Sequence, residues 1–402
     1  ATSFTTIYAP DIATQIRAIY DSKRYWPEPL IQINPNYLKS RGVSEFVAAG
    51  DLEPECAKIF EGLTLFKHQE QAIALASKGG SYVVTTGTGS GKSLCFFIPI
   101  INAALAEKKK DPRKRTRAIV VYPMNALANS QLEELEKYLG RADGAPVTYA
   151  RYTGNDEEDD RQKVADNPPD ILLTNFMMLE LLMTRQDEVD RKVMANCAGL
   201  RFLVLDELHT YRGRQGADVA LLVRRVRERL SPDRLQCIGT SATMASEGTQ
   251  ADKDALVAHV ASRLFAADIS PLSVVSETLD RATNRKFNSE SVVPLLAKAL
   301  DNPLAPTCTD AEIAEHPLAI WVETNLGVTP APGNNKPWIR ARPSTLTEAA
   351  ERLSKASGRP IGVCTTALRD LLLVSSTPEL QRTGKGNSRS FFGFKLHQFI
   401  SG

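Results

Sequence analysis

The chain has 402 residues, of which 43% are hydrophobic and 24% charged, and its formal net charge is +2. This composition is typical of a soluble globular protein with two or three domains. The small net charge excludes a strongly basic surface field, and no apolar run approaches the roughly 18 residues that a membrane-spanning helix requires. The six cysteines are scattered without a C-x-x-C pair, which favours buried thiols in a reducing cytoplasm over disulfides or a zinc site.

Residues 1–60 are predicted to form a turn-rich N-terminal arm. Pro27, Pro29 and Pro35 interrupt regular structure there, because proline lacks an amide donor and restricts the residue before it. Two neighbouring aromatic residues, Tyr25 and Trp26, have two interpretations: stacking on a nucleobase, or packing of the arm against the rest of the protein. We predict packing.

From residue 61 to residue 265, short apolar strands alternate with amphipathic helices. This alternation predicts an α/β domain in which helices cover both faces of a parallel sheet. The predicted strands are 81–86, 117–122, 147–152, 170–174, 201–206 and 235–240.

A glycine-rich loop follows the first of these strands. It reads Thr85-Thr86-Gly87-Thr88-Gly89-Ser90-Gly91-Lys92-Ser93 and precedes a helix-compatible segment. Glycines in such a loop let successive amide N–H groups point at an anion, and the positive end of the helix dipole adds to the attraction. Lys92 would then reach the β- and γ-phosphates of a nucleotide, and the Ser93 hydroxyl would hold Mg²⁺. The loop departs from the strict phosphate-loop pattern at Thr86, which replaces the first glycine.

A run of basic residues separates the helix after this loop from the next strand. It consists of Lys108-Lys109-Lys110, Arg113-Lys114-Arg115 and Arg117. The run has two interpretations, a non-specific contact with nucleic acid and a solvated loop, and we predict the solvated loop.

Two adjacent carboxylates, Asp206 and Glu207, close the apolar strand predicted at 201–206. In parallel sheets the carboxyl ends of the strands carry the chemistry. We predict that Asp206 binds the Mg²⁺ that Ser93 also contacts, and that Glu207 orients and deprotonates an attacking water. The alternative is that the pair only marks the start of a helix. The phosphate loop upstream argues against that alternative.

The order of three motifs resembles that of a superfamily 2 helicase. The phosphate loop is followed by Asp206-Glu207-Leu208-His209, which is similar to a DExH box, and then by Ser241-Ala242-Thr243. The run from Asp206 to Gly213, followed by Gly216-Ala217-Asp218-Val219, resembles the Hrq/MrfA branch of DNA helicases. It is also similar to large anti-phage defence helicases such as those of the Druantia and DISARM systems. The resemblance covers residues 60–280, and His397-Gln398-Phe399 again.

This resemblance implies a role for each motif residue. His209 joins Lys92, Asp206 and Glu207 in the catalytic set. Ser241 and Thr243 would couple ATP hydrolysis to strand separation. The alternative is that these two residues only cap the next helix. The implied ATP-binding residues, led by an adenine-reading glutamine, are Gln69, Thr88, Gly89, Ser90, Gly91, Lys92 and Ser93. The implied contacts to the backbone of a nucleic acid strand come from Pro123, Asn125, Thr153, Gly154, Thr174 and Asn175.

The second motor domain of such helicases carries a Q-x-x-G-R-x-x-R motif, which this sequence lacks. We therefore expect the N-terminal portion of a longer motor. Residues 61–265 would be its first RecA-like P-loop NTPase domain, and residues 266–390 a helical accessory insertion. Residues 391–402 would open a truncated second RecA-like domain. The alternative is a self-sufficient single-domain protein.

The predicted function is that of an ATP-dependent DNA helicase or translocase that uses ATP and Mg²⁺. Its expected partners are single-stranded or partly duplex DNA, the second RecA-like lobe with C-terminal domains, and a defence or repair protein. RNA stays open as a substrate because contacts to the strand backbone carry little sequence information. An alternative function is a nucleotide-gated interaction module that binds ATP and a partner protein without unwinding. A P-loop NTPase that does not act on nucleic acid is a third.

Overall fold

The computed structural model describes residues 9–21, 28–87, 89–140, 145–211, 213–230, 234–242, 249–331 and 338–398. Residues discussed above that lie outside this part of the chain are Tyr25, Trp26, Pro27, Thr88, Thr243 and Phe399. The chain divides into two compact units, a larger one of residues 37–278 and a smaller one of residues 1–36 with 279–402. None of the described helices is long and apolar enough to cross a membrane.

The described strands, in chain order, are β1 (Leu30–Asn34), β2 (Asn36–Tyr37), β3 (Lys39–Gly42), β4 (Thr64–Phe66), β5 (Tyr82–Thr85), β6 (Ala118–Tyr122), β7 (Tyr149–Arg151), β8 (Ile171–Asn175), β9 (Phe202–Leu205), β10 (Gln236–Ser241), β11 (Val274–Ser276), β12 (Leu279–Asp280), β13 (Val328–Pro330), β14 (Trp338–Arg340), β15 (Ser344–Thr345) and β16 (Gly393–His397).

The described α-helices are α1 (Pro10–Asp21), α2 (Val43–Ala48), α3 (Cys56–Ile59), α4 (Lys67–Ser77), α5 (Leu94–Lys110), α6 (Asn125–Leu139), α7 (Glu158–Asp166), α8 (Phe176–Thr184), α9 (Glu188–Asn196), α10 (Gly213–Leu230), α11 (Gln250–Phe265), α12 (Ser289–Asp301), α13 (Asp310–Glu315), α14 (Pro317–Val322), α15 (Leu346–Ser357), α16 (Ile361–Ser376) and α17 (Glu379–Thr383). Short 3₁₀ turns occupy Leu208–Thr210 and Pro271–Ser273, and a π-helical turn occupies Glu323–Gly327.

The described part of the larger unit is built on a seven-stranded parallel sheet with the order β11-β5-β10-β9-β6-β8-β7. Its central strands are apolar on both sides because helices cover both faces. Val83 and Val84, neighbours on β5, accordingly enter two different hydrophobic cores. The predicted α/β class, a parallel sheet flanked by helices as in RecA-like domains, is confirmed.

All six predicted strands are present in this sheet, but its seventh strand was not predicted. β11 pairs in parallel with β5, from Val274 with Val83 to Ser276 with Thr85. Three residues are too few to show the pattern of a strand, and a 3₁₀ turn directly precedes them. The sheet therefore extends beyond residue 265, where the sequence placed the end of the domain.

The smaller unit combines the N-terminal strand with helices from the second half of the chain. β1 lies at the centre of a three-stranded antiparallel sheet, between β15 and β16. Its buried residues Ile31 and Ile33 share one core with apolar residues of α12, α14, α15 and α16. The strand predicted at 391–396 is present as β16, and it pairs with β1. Because of these pairings the chain passes from one compact unit to the other after residue 36 and after residue 278. These positions differ from the predicted domain boundaries. The roles predicted for 266–390 and 391–402 stay predictions.

The basic run before β6 is a solvated loop only in part. The Arg117 side chain is 2% exposed, and its Nη1 group donates a hydrogen bond of 2.6 Å to Oδ1 of Asp170. Lys108 contacts the other oxygen of the same carboxylate at 2.8 Å. Arg117 precedes β6 and Asp170 precedes β8, and these strands are neighbours, so the ion pair lies at the amino edge of the sheet. Arg113 remains exposed, as predicted for the whole run.

Candidate functional site

Three adjacent strands bring the sequence motifs together at the carboxyl edge of the sheet. β10 lies between β5, which leads into the glycine-rich loop, and β9, which leads into Asp206 and Glu207. Ser241 is paired with Thr85 on one side, and Gly239 with Leu205 on the other. Because the strands are parallel, all three motifs leave the sheet on the same side.

Contacts from α4 hold the glycine-rich loop in its curled conformation. Gly89 and Gly91 have positive φ angles of 80° and 69°. Residues other than glycine rarely adopt such angles. Gln69 donates from Nε2 to the carbonyl oxygen of Gly91 at 3.0 Å, while its Oε1 accepts from the Phe66 amide at 2.8 Å. A Cβ added to Gly91 would lie only 2.7 Å from that Nε2 atom. The predicted adenine reader is thus also a support of the loop.

Contacts within the same loop show what Thr86 does in place of the first glycine. The Thr86 and Ser90 hydroxyl oxygens lie 2.6 Å apart, and both side chains are buried. His68 Nε2 lies 2.9 Å from the Ser90 carbonyl oxygen. Thr86 therefore closes the loop with a hydrogen bond that a glycine cannot make.

Glu277 also contacts the loop, although no sequence motif points to it. Its Oε2 accepts a hydrogen bond of 2.9 Å from the Gly87 amide. Glu277 directly follows β11, the strand that was not predicted. The contact of Glu277 with the start of the loop becomes evident only once the pairing of β11 with β5 is known.

Glu207 lies between two basic side chains from the predicted catalytic set. Lys92 Nζ is 3.4 Å from its Oε1, and His209 Nδ1 is 3.2 Å from its Oε2. Glu207 has φ 53° and ψ 56°, a left-handed conformation that is costly for a residue with a side chain. Such strain is concentrated at functional sites, where the surroundings enforce it. The structure thus brings Lys92, Glu207 and His209 together.

Thr240 connects the two adjacent carboxylate residues and was not predicted as a site residue. Its hydroxyl group donates to Oδ1 of Asp206 and accepts from the Glu207 amide, the latter at 3.1 Å. The sequence signal was a hydroxyl side chain near the end of the strand β10. Only the pairing of β10 with β9 shows that this hydroxyl meets the Asp206 carboxylate and the Glu207 amide.

Asp206 lies in a poorly solvated position. Burial raises the pKa of its carboxyl group, while the Thr240 hydrogen bond and the Lys92 charge oppose that shift. Burial and the nearby Asp206 charge also raise the pKa of Tyr122 and Tyr211. Neither tyrosine hydroxyl has a hydrogen-bond partner among the described residues. The site therefore contains buried polar groups that the described residues do not satisfy.

These groups fit the Mg²⁺ ion that the sequence predicts. One carboxylate and one hydroxyl, from Asp206 and Ser93, are oxygen ligands of the type that Mg²⁺ prefers. Among the described residues there is no cluster of three or more His, Cys, Asp or Glu side chains that could hold a metal. Mg²⁺ does not require such a cluster, because proteins hold it through one or two carboxylates together with substrate phosphates. When bound, such an ion neutralises charge that develops on the phosphates.

Replacing Asp206 with asparagine is expected to stabilise the nucleotide-free chain at neutral pH. Because the pKa of Asp206 is raised in the folded state, the folded chain keeps a proton that the unfolded chain has already released. Stability therefore falls as the pH rises through this interval, and the penalty persists above it. Asparagine removes the penalty and can still accept the Thr240 hydrogen bond. Urea unfolding at pH 7 without Mg²⁺ tests this, and a clear loss of stability in Asp206→Asn would contradict it.

Ser241 lies next to the catalytic set, at the end of β10. Its side chain is fully buried, and its hydroxyl oxygen is 3.4 Å from His209 Nδ1. This contact connects the end of β10 to the DExH segment. The predicted coupling role of Ser241 and Thr243 stays a prediction, and Thr243 lies outside the described residues.

The other half of the carboxyl edge gathers the residues predicted to contact nucleic acid. Pro123 follows β6, and Asn175 ends β8 opposite Tyr122. Thr153 and Gly154 follow β7, which pairs with β8. The structure thus places these residues on neighbouring strand ends, next to the half that carries the phosphate loop.

Most of these polar side chains already have partners within the domain. Thr153 donates from its amide and hydroxyl groups to Asp156 Oδ2, at 2.6 and 2.9 Å. Thr174 is fully buried and donates to the Tyr152 carbonyl oxygen, while Asn175 Oδ1 accepts from the Met178 amide and caps α8. Gly154 is exposed, and a Cβ added to it would meet no described atom within 4 Å. Asn125 begins α6, and its side chain lies outside the described part of the structure.

Comparison with known proteins agrees with the motif order. Residues 66–251 match the family described as DEAD/DEAH box helicase. Druantia protein DruE from Escherichia coli is 26% identical, over 54% of this chain and 18% of its own length. The uncharacterized ATP-dependent helicase YprA from Bacillus subtilis is 31% identical, over 54% of this chain and 27% of its own. A crystal structure of the DUF1998 helicase MrfA bound to DNA aligns with 77% of this chain and 43% of that one, at a TM-score of 0.47 and 21% identity. The predicted resemblance to a DExH-box helicase is confirmed.

Proposed function

We propose that the chain is the ATP-binding lobe of an ATP-dependent DNA helicase or translocase, since residues 66–251 match the DEAD/DEAH box helicase family. The observation that carries this proposal is the arrangement at one edge of the sheet. There the loop lysine Lys92 lies 3.4 Å from the Glu207 carboxylate, and Asp206 is its neighbour. A phosphate-binding cation, a metal-binding carboxylate and a general base are the parts that ATP hydrolysis requires.

The contact between Lys92 and Glu207 suggests how the site would respond to ATP. A γ-phosphate carries more negative charge than one carboxylate, so it would attract Lys92 away from Glu207. The freed carboxylate could then orient a water molecule and accept its proton. His209, on the other side of Glu207, would keep the carboxylate in place. The base would thus become available only when nucleotide is bound.

We assign adenine recognition to Gln69. Its amide group is 2% exposed and couples the start of α4 to Gly91 of the phosphate loop. If this amide turns to read a base, the conformation of the loop responds to the identity of the base. A buried amide that loses its partner is costly, so nucleotides with a different base edge would be rejected strongly.

The strand-contacting role belongs to the neighbouring half of the edge. The ends of β6, β7 and β8 present exposed backbone around Gly154 beside the nucleotide half, so a bound strand and a bound nucleotide would share one rigid sheet. The side chains of Thr153 and Asn175 already make hydrogen bonds within the domain. They would therefore hold the backbone in the conformation that contacts the strand. We propose DNA as the substrate because of the resemblance to the Hrq/MrfA branch.

Salt-dependent binding of single-stranded DNA by the chain tests this function. We expect the logarithm of the binding constant to fall linearly with the logarithm of the salt concentration, as released counterions require. Gly154→Glu should lower the affinity roughly tenfold, because a carboxylate at this edge repels phosphates. Gly362→Glu is the matched control, since Gly362 is also exposed with open space at its Cβ position. A parallel titration with RNA of the same sequence compares the two substrates.

Two results would contradict the proposal. One is the absence of salt-dependent binding to either nucleic acid. The other is an equal loss of affinity in Gly154→Glu and Gly362→Glu, which would place the binding surface elsewhere.

A further inference from the structure

A second cleft lies at the opposite, amino edge of the sheet in the larger unit. Its volume is about 520 Å³, and it is bounded by α4, by α5 and by the segments that lead into β9 and β10. This size falls within the range of small-molecule sites in proteins. The helix α5 lines this cleft from Pro99 to Lys110, and no residue of the phosphate loop lines it. The cleft is therefore separate from the phosphate loop.

The charges that line this cleft do not balance. Its acidic residues are each paired with an arginine: Asp51 with Arg41, Glu107 with Arg115, and Asp111 with Arg113. Three basic residues, Lys110, Arg201 and Arg234, line the cleft without a carboxylate partner among the described residues. The cleft is therefore electropositive.

Two of the unpaired side chains, Arg201 and Arg234, are suited to bind an anion. A guanidinium group has donors only, so a group that pairs with it in the cleft is an acceptor. An anionic oxygen would serve best, because charge-assisted hydrogen bonds are the stronger ones.

Much of the remaining lining is apolar. Ile73 and Ala76 of α4 and Ala103 of α5 contribute to it, together with Phe202 at the start of β9. The Arg201 guanidinium lies 5.8 Å from the centre of the Phe202 ring. A bare inorganic ion would leave this apolar surface unused, whereas an aromatic group joined to an anion would contact both parts of the cleft.

We propose that this cleft is a binding site for a small organic phosphate with an aromatic or apolar body. The phosphate would accept hydrogen bonds from Arg201 and Arg234, with Lys110 adding charge. The body would pack on Phe202 and the α4–α5 surface. The proposal does not depend on ATP hydrolysis, because its residues lie outside the phosphate loop and the DExH segment.

Calorimetric titration of the chain with 1-naphthyl phosphate tests the site. Lys92→Ala serves as the background, so that binding at the phosphate loop does not contribute. We expect one site in this background, and about a tenfold loss of affinity in Arg201→Ala and in Arg234→Ala, since each removes a charged contact. Arg234 is exposed, so its variant keeps the test valid if Arg201→Ala unfolds. The control is Arg191→Ala, an exposed arginine on α9 that does not line the cleft.

Three further ligands distinguish the sources of binding. 1-Naphthol lacks the charge and inorganic phosphate lacks the body, so both should bind at least tenfold more weakly than 1-naphthyl phosphate. A glutamate-rich peptide should not compete with it. The proposal is overturned if 1-naphthyl phosphate does not bind at millimolar concentration, or if Arg191→Ala weakens binding as much as Arg234→Ala. It is also overturned if the peptide binds and the naphthyl phosphate does not, which would make the cleft a protein-docking surface.

Discussion

Replacing Glu207 with glutamine is expected to abolish ATP hydrolysis while leaving nucleotide binding nearly intact. Glutamine keeps the size of the side chain but cannot accept a proton from water, and loss of a general base typically lowers the rate by about 10²–10⁴. The substitution also removes the negative charge that Lys92 contacts, so Lys92 is held less strongly and is free to bind the phosphates. Nucleotide affinity should therefore be unchanged or slightly higher.

Hydrolysis is best followed in single-turnover experiments with the chain in excess over ATP. The sequence lacks the Q-x-x-G-R-x-x-R motif, and an arginine that stabilises the transition state is worth roughly 10³–10⁵ in rate. Slow basal turnover is thus expected even for the unmodified chain. Lys92→Ala provides the contrast, because it should weaken nucleotide binding itself.

Glu180→Gln is a suitable control, since Glu180 pairs with Arg225 on the helices α8 and α10 and lies outside the site. Near-normal hydrolysis in Glu207→Gln would show that the base lies elsewhere. A parallel loss of nucleotide binding and hydrolysis would assign Glu207 to folding of the loop instead.

The parts of this site that sequence predicts are those encoded by local patterns. An apolar run followed by a glycine-rich loop, or by two carboxylates, predicts a strand and the functional residues at its end. Lys92, Ser93, Asp206 and Glu207 all belong to such segments. The sheet that carries them follows from the alternation of strands and helices, so the fold class could be predicted together with the motifs.

The parts that sequence does not predict are contacts between distant segments. Glu277 bonds to Gly87 across 190 residues, and Thr240 bonds to Glu207 across 33. Neither residue stands out locally, because a glutamate after a short strand and a threonine within a strand are both common where no functional site is present. The left-handed conformation of Glu207 is likewise set by its surroundings, as nothing in its own sequence favours it.

A buried charge shows most clearly that contacts between distant segments cannot be predicted from local sequence. A basic run predicts solvent exposure, since an isolated charge in the interior is very costly. Arg117 is nevertheless buried, because Asp170, 53 residues away, meets it on the neighbouring strand. The partner that reverses the prediction becomes visible only through the pairing of β6 with β8.

Replacing Asp170 with alanine is therefore expected to lower the free energy of unfolding by about 3–5 kcal/mol. The Asp170 side chain is 4% exposed and that of Arg117 is 2% exposed. The substitution leaves a buried guanidinium whose remaining carboxylate among the described residues is the more distant Glu107, at 3.4 Å, beside backbone carbonyl acceptors. Asp170 also accepts hydrogen bonds from the Thr148 amide and hydroxyl groups, at 2.8 and 3.1 Å. Both of these donors would lose their acceptor, and unsatisfied buried donors add to the loss.

Urea unfolding followed by circular dichroism measures this effect, with Asp166→Ala as the control. Asp166 pairs with Lys192, but these side chains are 53% and 52% exposed, and exposed ion pairs contribute about 0–1 kcal/mol. Asp170→Asn separates the two sources of stability, because the amide oxygen can still accept a hydrogen bond while the charge is gone. If the ion pair dominates, Asp170→Asn should approach Asp170→Ala. An Asp170→Ala variant as stable as Asp166→Ala would mean that water or Glu107 compensates Arg117, and that the amino edge of the sheet does not depend on this carboxylate.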